Sequence, residues 1–126
     1  MNMGRIFLIV GLGGFLGSVA RYGMSIGFSK ILPLNFPYGT FAVNILGCLL
    51  IGIFFGWSEK WERMTEEWRI FLTIGFCGGF TTFSSFAYEN LSMLQNSNYT
   101  GFFLYSVGSF LLGILAVWGG FNLMKL

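Results

Sequence analysis

Histidine and aspartate are absent from this 126-residue chain, and charged residues of all kinds make up only 10% of it. Soluble domains usually carry about 25% charged residues. Hydrophobic residues make up 55% of the chain, and its mean hydropathy is +0.72. A surface so poor in charge would not keep a protein of this size in solution, which indicates that lipid is the main solvent of the chain.

The same scarcity argues against two large classes of function. Without histidine and with only five acidic residues, the sequence offers no nucleophile–base pair, phosphate-binding loop or metal-ligating cluster, so we do not expect an enzyme. Seven basic residues give a net charge of +2 and form no basic patch of the kind that binds nucleic acid.

Cys48 and Cys77 lie inside apolar runs. Two thiols without histidine do not make the usual zinc site, and we interpret them as small packing residues.

Four apolar runs alternate with short polar segments, at residues 6–28, 39–57, 70–94 and 101–123. A helix needs about 20 mainly apolar residues to cross a bilayer, so the sequence predicts an all-α, multi-pass protein of the cell (inner or plasma) membrane. Trp57, Trp61 and Trp68 lie in or next to the polar segment that follows the second run, as expected of indole rings at a membrane–water interface. We expect residues 1–126 to form a single transmembrane domain.

The centre of the third span is unusual for a membrane helix. A pair of glycines, Gly78 and Gly79, is followed by four hydroxyl residues, Thr81, Thr82, Ser84 and Ser85. Glycine is conformationally permissive, and hydroxyl side chains offer the backbone hydrogen bonds that compete with the helical ladder. We therefore predict a break in this helix, which at membrane depth requires shielding by protein or by a cavity.

Small residues recur four positions apart, as in the pairs Gly13/Gly17, Gly52/Gly56 and Gly75/Gly79. This spacing puts them on one helix face, where they let neighbouring backbones approach closely. Four helices alone leave few residues to line a protected path, so we expect a homo-oligomer, most simply with two-fold symmetry.

Three polar side chains inside the spans are candidates for function. Arg21 either snorkels to the interface or pairs structurally, or it attracts anions. Asn44 lies one turn after Thr40 and either bonds a neighbouring helix or donates its amide N–H to a small anion. Glu89 is the only acid outside the polar loop. It has no histidine or second carboxylate nearby in sequence, so we favour a structural or pore-mouth role over a proton relay.

Phe83 and Phe86 are three residues apart and share a helix face. In a chain with 16 phenylalanines, core packing or lipid contact is one explanation. The other is that the positive edge of each ring holds a poorly polarisable anion without a fixed cation that would trap it. Hydroxyl groups at helical spacing can replace an anion's hydration water or bond back to the preceding turn; such pairs are Thr82 with Ser85 and Tyr105 with Ser109.

Four segments together resemble those of the Fluc (CrcB) family of fluoride channels. The most specific is Gly-Phe-Cys-Gly-Gly-Phe-Thr-Thr-Phe-Ser-Ser-Phe, and the match covers nearly the whole chain. The segments are Gly13 to Tyr22, Pro37 to Asn44, Gly75 to Phe86 with Glu89, and Gly108-Ser109.

The resemblance implies passive export of fluoride by an antiparallel, dual-topology dimer with two pores. It implies an aromatic box of Phe83 and Phe86, and a row of polar groups along the fourth helix whose next position, often a hydroxyl residue in the family, is Gly113 here. Together, the residues and the resemblance predict a fluoride pore formed by Arg21, Asn44, Thr82, Phe83, Ser85, Phe86, Tyr105 and Ser109.

A structural sodium ion on the two-fold axis is also implied by the resemblance, held by backbone carbonyls at the helix break. The matching positions are Gly78 and Thr81. A hard cation prefers oxygen ligands, an unwound turn frees carbonyls to point at it, and a buried cation favours anions nearby.

The main alternative is a small four-helix, proton-coupled exporter of cationic drugs or guanidinium, which also forms antiparallel dimers. That mechanism requires a membrane-embedded carboxylate, whereas the first span contains Arg21 and no acid. A pore-forming lysis protein is a third class, but such a protein would hardly need a helix break of this kind.

The distribution of basic residues bears on orientation. Four spans put both termini and the central polar loop on one side of the membrane, and basic residues near span ends favour the cytoplasm. Lys30 lies on the other side. The basic residues on the first side are Arg5, Lys60, Arg63, Arg69 and Lys125, an excess that favours insertion in one orientation and pairing with an oppositely oriented homologue. We still expect an antiparallel homodimer, because two inverted copies of the helix break bring both sets of carbonyls to the midplane.

Overall fold

The structure, a computed structural model, describes residues 2–126. Throughout that range the secondary structure is helical, with no strand. Four helical segments are long and apolar enough to cross a membrane, as the sequence predicts. They are α1 (Met3–Ile31), α2 (Tyr38–Lys60), an interrupted third span (Glu66–Gln95) and α6 (Tyr99–Leu123).

The third span is built from four pieces. Helix α3 (Glu66–Ile70) leads into π-helical turns (Phe71–Cys77) and a single turn, α4 (Gly78–Phe80), and the span resumes as α5 (Phe83–Gln95). Between α4 and α5 the backbone is extended, with φ −89° and ψ 159° at Thr81 and φ −148° and ψ 121° at Thr82. The predicted helix break is therefore confirmed and lies at these two threonines.

Helix ends follow from local chemistry and differ from the predicted bounds by a few residues. Helix α1 continues to Ile31 because Leu32, which precedes Pro33, is the first extended residue, a conformation that a following proline favours. The third span begins at Glu66, inside the predicted polar segment. Thr65 caps it, its Oγ1 accepting from the backbone N–H of Trp68 at 3.2 Å, and two acidic residues in the first turn suit the helix dipole.

Glycines set how closely the helices approach. Helix α1 packs on the first half of the third span, and α2 packs on α6. A Cβ on Gly13 would lie 2.7 Å from the carbonyl oxygen of Phe71, and one on Gly56 would lie 2.7 Å from that of Phe121. On the facing helix, a Cβ on Gly75 would lie 3.0 Å from the Cα of Gly13. The backbones thus touch at the small residues, as the spacing of four indicates.

We expect Gly17→Ala to destabilise the fold. The added methyl group would overlap the carbonyl oxygen of Phe76 and lie 2.8 Å from the nitrogen of Phe80, and overpacking of this kind destabilises by about 1–3 kcal/mol. Gly23→Ala, on the same helix but facing open space, is the matched control and should leave the melting temperature unchanged or slightly higher. Thermal unfolding in detergent tests this. Equal melting temperatures for the two variants would contradict the packing described.

Candidate functional site

The break in the third span is held by a side chain of α2. The Oδ1 atom of Asn44 accepts a hydrogen bond from the backbone N–H of Thr82 at 2.8 Å, and its Nδ2 donates to the carbonyl oxygen of Thr82 at 3.0 Å. We call this reciprocal pair the Asn44–Thr82 clamp. It satisfies backbone groups that would otherwise be unpaired at membrane depth. The helix-bonding interpretation of Asn44 is thus seen in the structure, and the second hydrogen on Nδ2 keeps its pore-donor role open as a prediction.

Arg21 stabilises the same break from α1. It lies well inside α1, and its Nε donates to the carbonyl oxygen of Gly79 at 3.0 Å. Carbonyls in the last turn before a break lack intrahelical partners, so this guanidinium replaces a missing N–H. The structure therefore shows Arg21 paired with the main chain of the third span, and its anion-attracting role stays a prediction.

Hydroxyl groups at the break bond mainly to their own backbone. Thr81 Oγ1 donates to the carbonyl oxygen of Cys77 at 2.9 Å. Thr82 Oγ1 accepts from the backbone N–H of Ser85 at 3.2 Å, which caps α5. This is the local alternative for Ser and Thr hydroxyls, and it fixes how the chain enters α5.

A cavity of about 550 Å³, which we call the inner cavity, lies beside the break. Its wall is formed by α2, the third span and α6. From the predicted pore it brings together Asn44, Thr82, Phe83, Phe86 and Ser109, and it also includes both predicted sodium positions, Gly78 and Thr81.

Two features of the inner cavity suit a small ligand. The hydroxyl oxygen of Ser109 is buried and has no hydrogen-bond partner among the described residues. Leaving such a group unpaired is unfavourable by about 1–3 kcal/mol, so this hydroxyl is available to a ligand. The rings of Phe83 and Phe86 lie 5.9 Å apart and are tilted by 42°, and the Phe83 side chain is open to its surroundings, with 79% exposure.

The remaining predicted pore residues lie outside the lining of the inner cavity. They are Arg21, Ser85 and Tyr105. Tyr105 is fully buried, and its hydroxyl donates to Glu89 Oε1 at 2.8 Å. Thr40 Oγ1 donates to the other carboxylate oxygen at 2.7 Å. Glu89 thereby joins α2, α5 and α6.

Glu89 also borders a second space, which we call the outer cavity. Its volume is about 480 Å³, and it lies between the α1–α2 turn and the α5–α6 turn. The bond between Thr40 and Glu89 was not expected from the sequence, although Thr40 lies one turn before Asn44 on the same face. The ring centroids of Phe86 and Tyr105 lie 4.9 Å apart. This contact links the inner cavity, which Phe86 lines, to the residues bonded to Glu89.

Some lining residues of the inner cavity had no signal in the sequence. Cys48 and Cys77, which we interpreted as packing residues, both border it, as does Ser106. The hydroxyl of Ser106 donates to Asn90 Oδ1 at 2.8 Å, which joins α5 to α6. A thiol or a single serine in an apolar run looks the same in the sequence whether it faces lipid, core or cavity.

Comparison with known proteins gives a consistent result. The model of the family described as "CrcB-like protein, Camphor Resistance (CrcB)" matches residues 8–121. A protein of Phocaeicola vulgatus named fluoride-specific ion channel FluC is 50% identical over 113 residues, which cover 90% of this chain and 93% of that protein. A protein of the same name from Flavobacterium psychrophilum is 46% identical over 123 residues, 98% of each chain. A third, from Campylobacter lari, is 45% identical over 118 residues, 94% of this chain and 96% of its own.

The Asn44–Thr82 clamp predicts the effect of Asn44→Asp. The carboxylate keeps the acceptor for the Thr82 N–H but places an oxygen against the Thr82 carbonyl, which leaves that carbonyl unpaired. We expect a loss of about 1–3 kcal/mol of stability, measured as thermal unfolding in lipid nanodiscs. Asn122→Asp removes a similar amide-to-carbonyl bond, to Trp118, at an exposed position, and should have a smaller effect. The clamp would be contradicted by equal shifts in the two variants.

Proposed function

Because this chain belongs to the CrcB family, whose relatives described above are named fluoride-specific ion channels, we propose that it conducts fluoride through the inner cavity. It is a fluoride-selective channel of the cell membrane, not an enzyme. Passive export of fluoride down its gradient would lower the concentration of this toxic ion in the cytoplasm.

The observation that supports this route best is the absence of charge around the inner cavity. Of the described residues that line it, none is charged. Neutral donors and the positive edges of aromatic rings can offset the dehydration of a small anion without binding it so tightly that it stops moving. The unpartnered hydroxyl of Ser109 is one such donor, and the second hydrogen of the Asn44 amide is another.

Coupled export of a cationic compound is disfavoured by the position of Glu89. An exchanger needs a carboxylate that faces the transported cation and takes up a proton in turn. Glu59 lies in the last turn of α2, and Glu66 and Glu67 lie in the first turn of the third span. Glu89 is the only acid away from the span ends, and it does not line the inner cavity. Both of its carboxylate oxygens accept hydrogen bonds, from Thr40 and Tyr105, which suits a positioning role.

The residues at the break are compatible with a structural sodium ion. Gly78 is exposed, with open space where a Cβ would lie, and it borders the inner cavity together with Thr81. The Thr81 hydroxyl is already bonded to Cys77, so the main-chain oxygens are the groups that would hold the ion. Oxygen ligands suit a hard cation, and a bound sodium ion would supply a positive potential that attracts anions.

A second subunit would complete the pathway. The inner cavity is open on one side, where Gly78 and the largely exposed Phe83 face outward. An antiparallel dimer would cover this face and bring two breaks together at the midplane, with Gly78 and Thr81 near the two-fold axis. We propose a homodimer of dual topology, and an oppositely oriented homologue is the alternative partner.

Purified protein in liposomes should pass fluoride and nearly exclude chloride. The larger anion would not fit the close-set donors and would gain less from them. We expect fluoride efflux to exceed chloride efflux by about a hundredfold or more, which corresponds to about 3 kcal/mol in barrier height. Ion-selective electrodes measure both fluxes on the same vesicles. Equal efflux of the two ions would overturn the proposed function.

Replacing Phe83 or Phe86 with isoleucine should lower fluoride efflux by about tenfold. Isoleucine keeps the apolar character but removes the ring quadrupole, whose interactions contribute about 0.5–1.5 kcal/mol. Phe103→Ile is the matched control, because Phe103 is exposed on α6 and lines neither cavity. Gel filtration checks that each variant keeps its assembly state. Unchanged efflux in both cavity variants would show that the two rings only pack and do not contact the ion.

A further inference from the structure

Two thiols lie at the same level of the inner cavity. Helix α2 and the third span run antiparallel and are in register, since Asn44 bonds to Thr82 and a Cβ on Gly47 would touch the Thr81 side chain. One turn along α2 from Asn44 is Cys48. One turn back along the third span from Thr81 is Cys77, whose carbonyl accepts from the Thr81 N–H at 3.1 Å. Both cysteines border the inner cavity, and neither is in a disulfide.

Helix α6 leaves room beside Cys48. Gly113 on α6 faces Cys48, and a Cβ there would lie 3.4 Å from the Cys48 sulfur. One turn before Gly113 is Ser109, whose buried hydroxyl has no partner among the described residues. The two cysteines and the serine with the unpaired hydroxyl therefore all border the same cavity.

We propose that Cys48 and Cys77 form a two-thiolate site for a soft divalent cation such as Hg²⁺, with the Ser109 hydroxyl as a neutral neighbour. Thiolates are soft ligands that select soft metals. Zinc normally takes four ligands, and residues 2–126 contain no group of three or more His, Cys, Asp or Glu side chains that could hold it.

Charge balance favours a divalent ion at this site. Binding forms two S–Hg bonds, and each thiol releases its proton to water, so no electron is transferred. The resulting pair of thiolates with Hg²⁺ is neutral, whereas a monovalent cation held by two thiolates would leave a net negative charge. Burial of an uncompensated charge in an apolar environment is strongly unfavourable.

An ion at this position would occlude the space between Asn44 and Ser109. The site lies in the cavity proposed to carry fluoride, so we expect Hg²⁺ to close the channel. This consequence rests on the proposed function, whereas binding of the metal does not.

Native mass spectrometry of the full-length protein in detergent with HgCl₂ tests the site directly. We expect each wild-type chain to gain one mercury atom and lose two protons. Cys48→Ser and Cys77→Ser each retain one thiol, so their affinity should fall by about 10²–10⁴, the usual gain from a second tethered contact, as measured by competition with glutathione. The double variant is the control without thiols. Two mercury atoms per wild-type chain, or single variants that match the wild type, would overturn the proposal.

Efflux from liposomes provides a separate arm, in which each protein is compared with its own mercury-free rate. With Hg²⁺, fluoride efflux through the wild type should fall to background. Efflux through the double variant should stay at the rate measured for that variant without mercury. If mercury binds both thiols but wild-type efflux is unchanged, the site does not lie in the fluoride pathway. If untreated protein passes no fluoride, the proposed function fails, while the mass measurement still decides whether the two thiols bind the metal.

Discussion

A helix that is interrupted inside a membrane must find partners for the backbone groups that it frees, and this constraint organises the rest of the protein. At Thr81 and Thr82 the third span becomes extended. The amide of Asn44 bonds both the N–H and the C=O of Thr82, and Arg21 bonds the carbonyl of Gly79. Lipid offers no hydrogen bonds, so without these two side chains the extended segment would be strongly unfavourable.

Close helix packing makes those bonds possible. Arg21 reaches Gly79 because α1 lies directly against the third span at glycines such as Gly17, where a Cβ would overlap the Phe76 carbonyl. In α2 the absence of a side chain at Gly47 admits the Thr81 methyl group beside the break. The same geometry opens the inner cavity next to the break and lines it with rings, hydroxyls and thiols in place of charges. The proposed ion path is thus a consequence of how the interruption is accommodated.

Much of this architecture could be predicted from the sequence because it depends on patterns along one chain. Apolar runs predict the four spans, and the Gly78-Gly79 pair followed by hydroxyl residues predicts the break. The partners of Asn44, Arg21 and Tyr105 could not be predicted in the same way. Each depends on the register between two helices, which periodicity within a helix does not determine. The exact end of helix α1 also does not follow from the apolar run. It is set by Pro33, which favours the extended conformation of Leu32.

Amide hydrogen exchange of the protein in lipid nanodiscs tests most directly whether Asn44 holds the break. The account predicts that the Thr82 N–H exchanges slowly, like amides in the interior of α5, although it lies outside any helix. The Ser84 N–H, in the first turn of α5 and exposed, should exchange faster, since the first donors of a helix lack intrahelical partners. Exchange at Thr82 as fast as that of the 61–65 turn would contradict the account, because the interrupted backbone would then be open to water without its clamp.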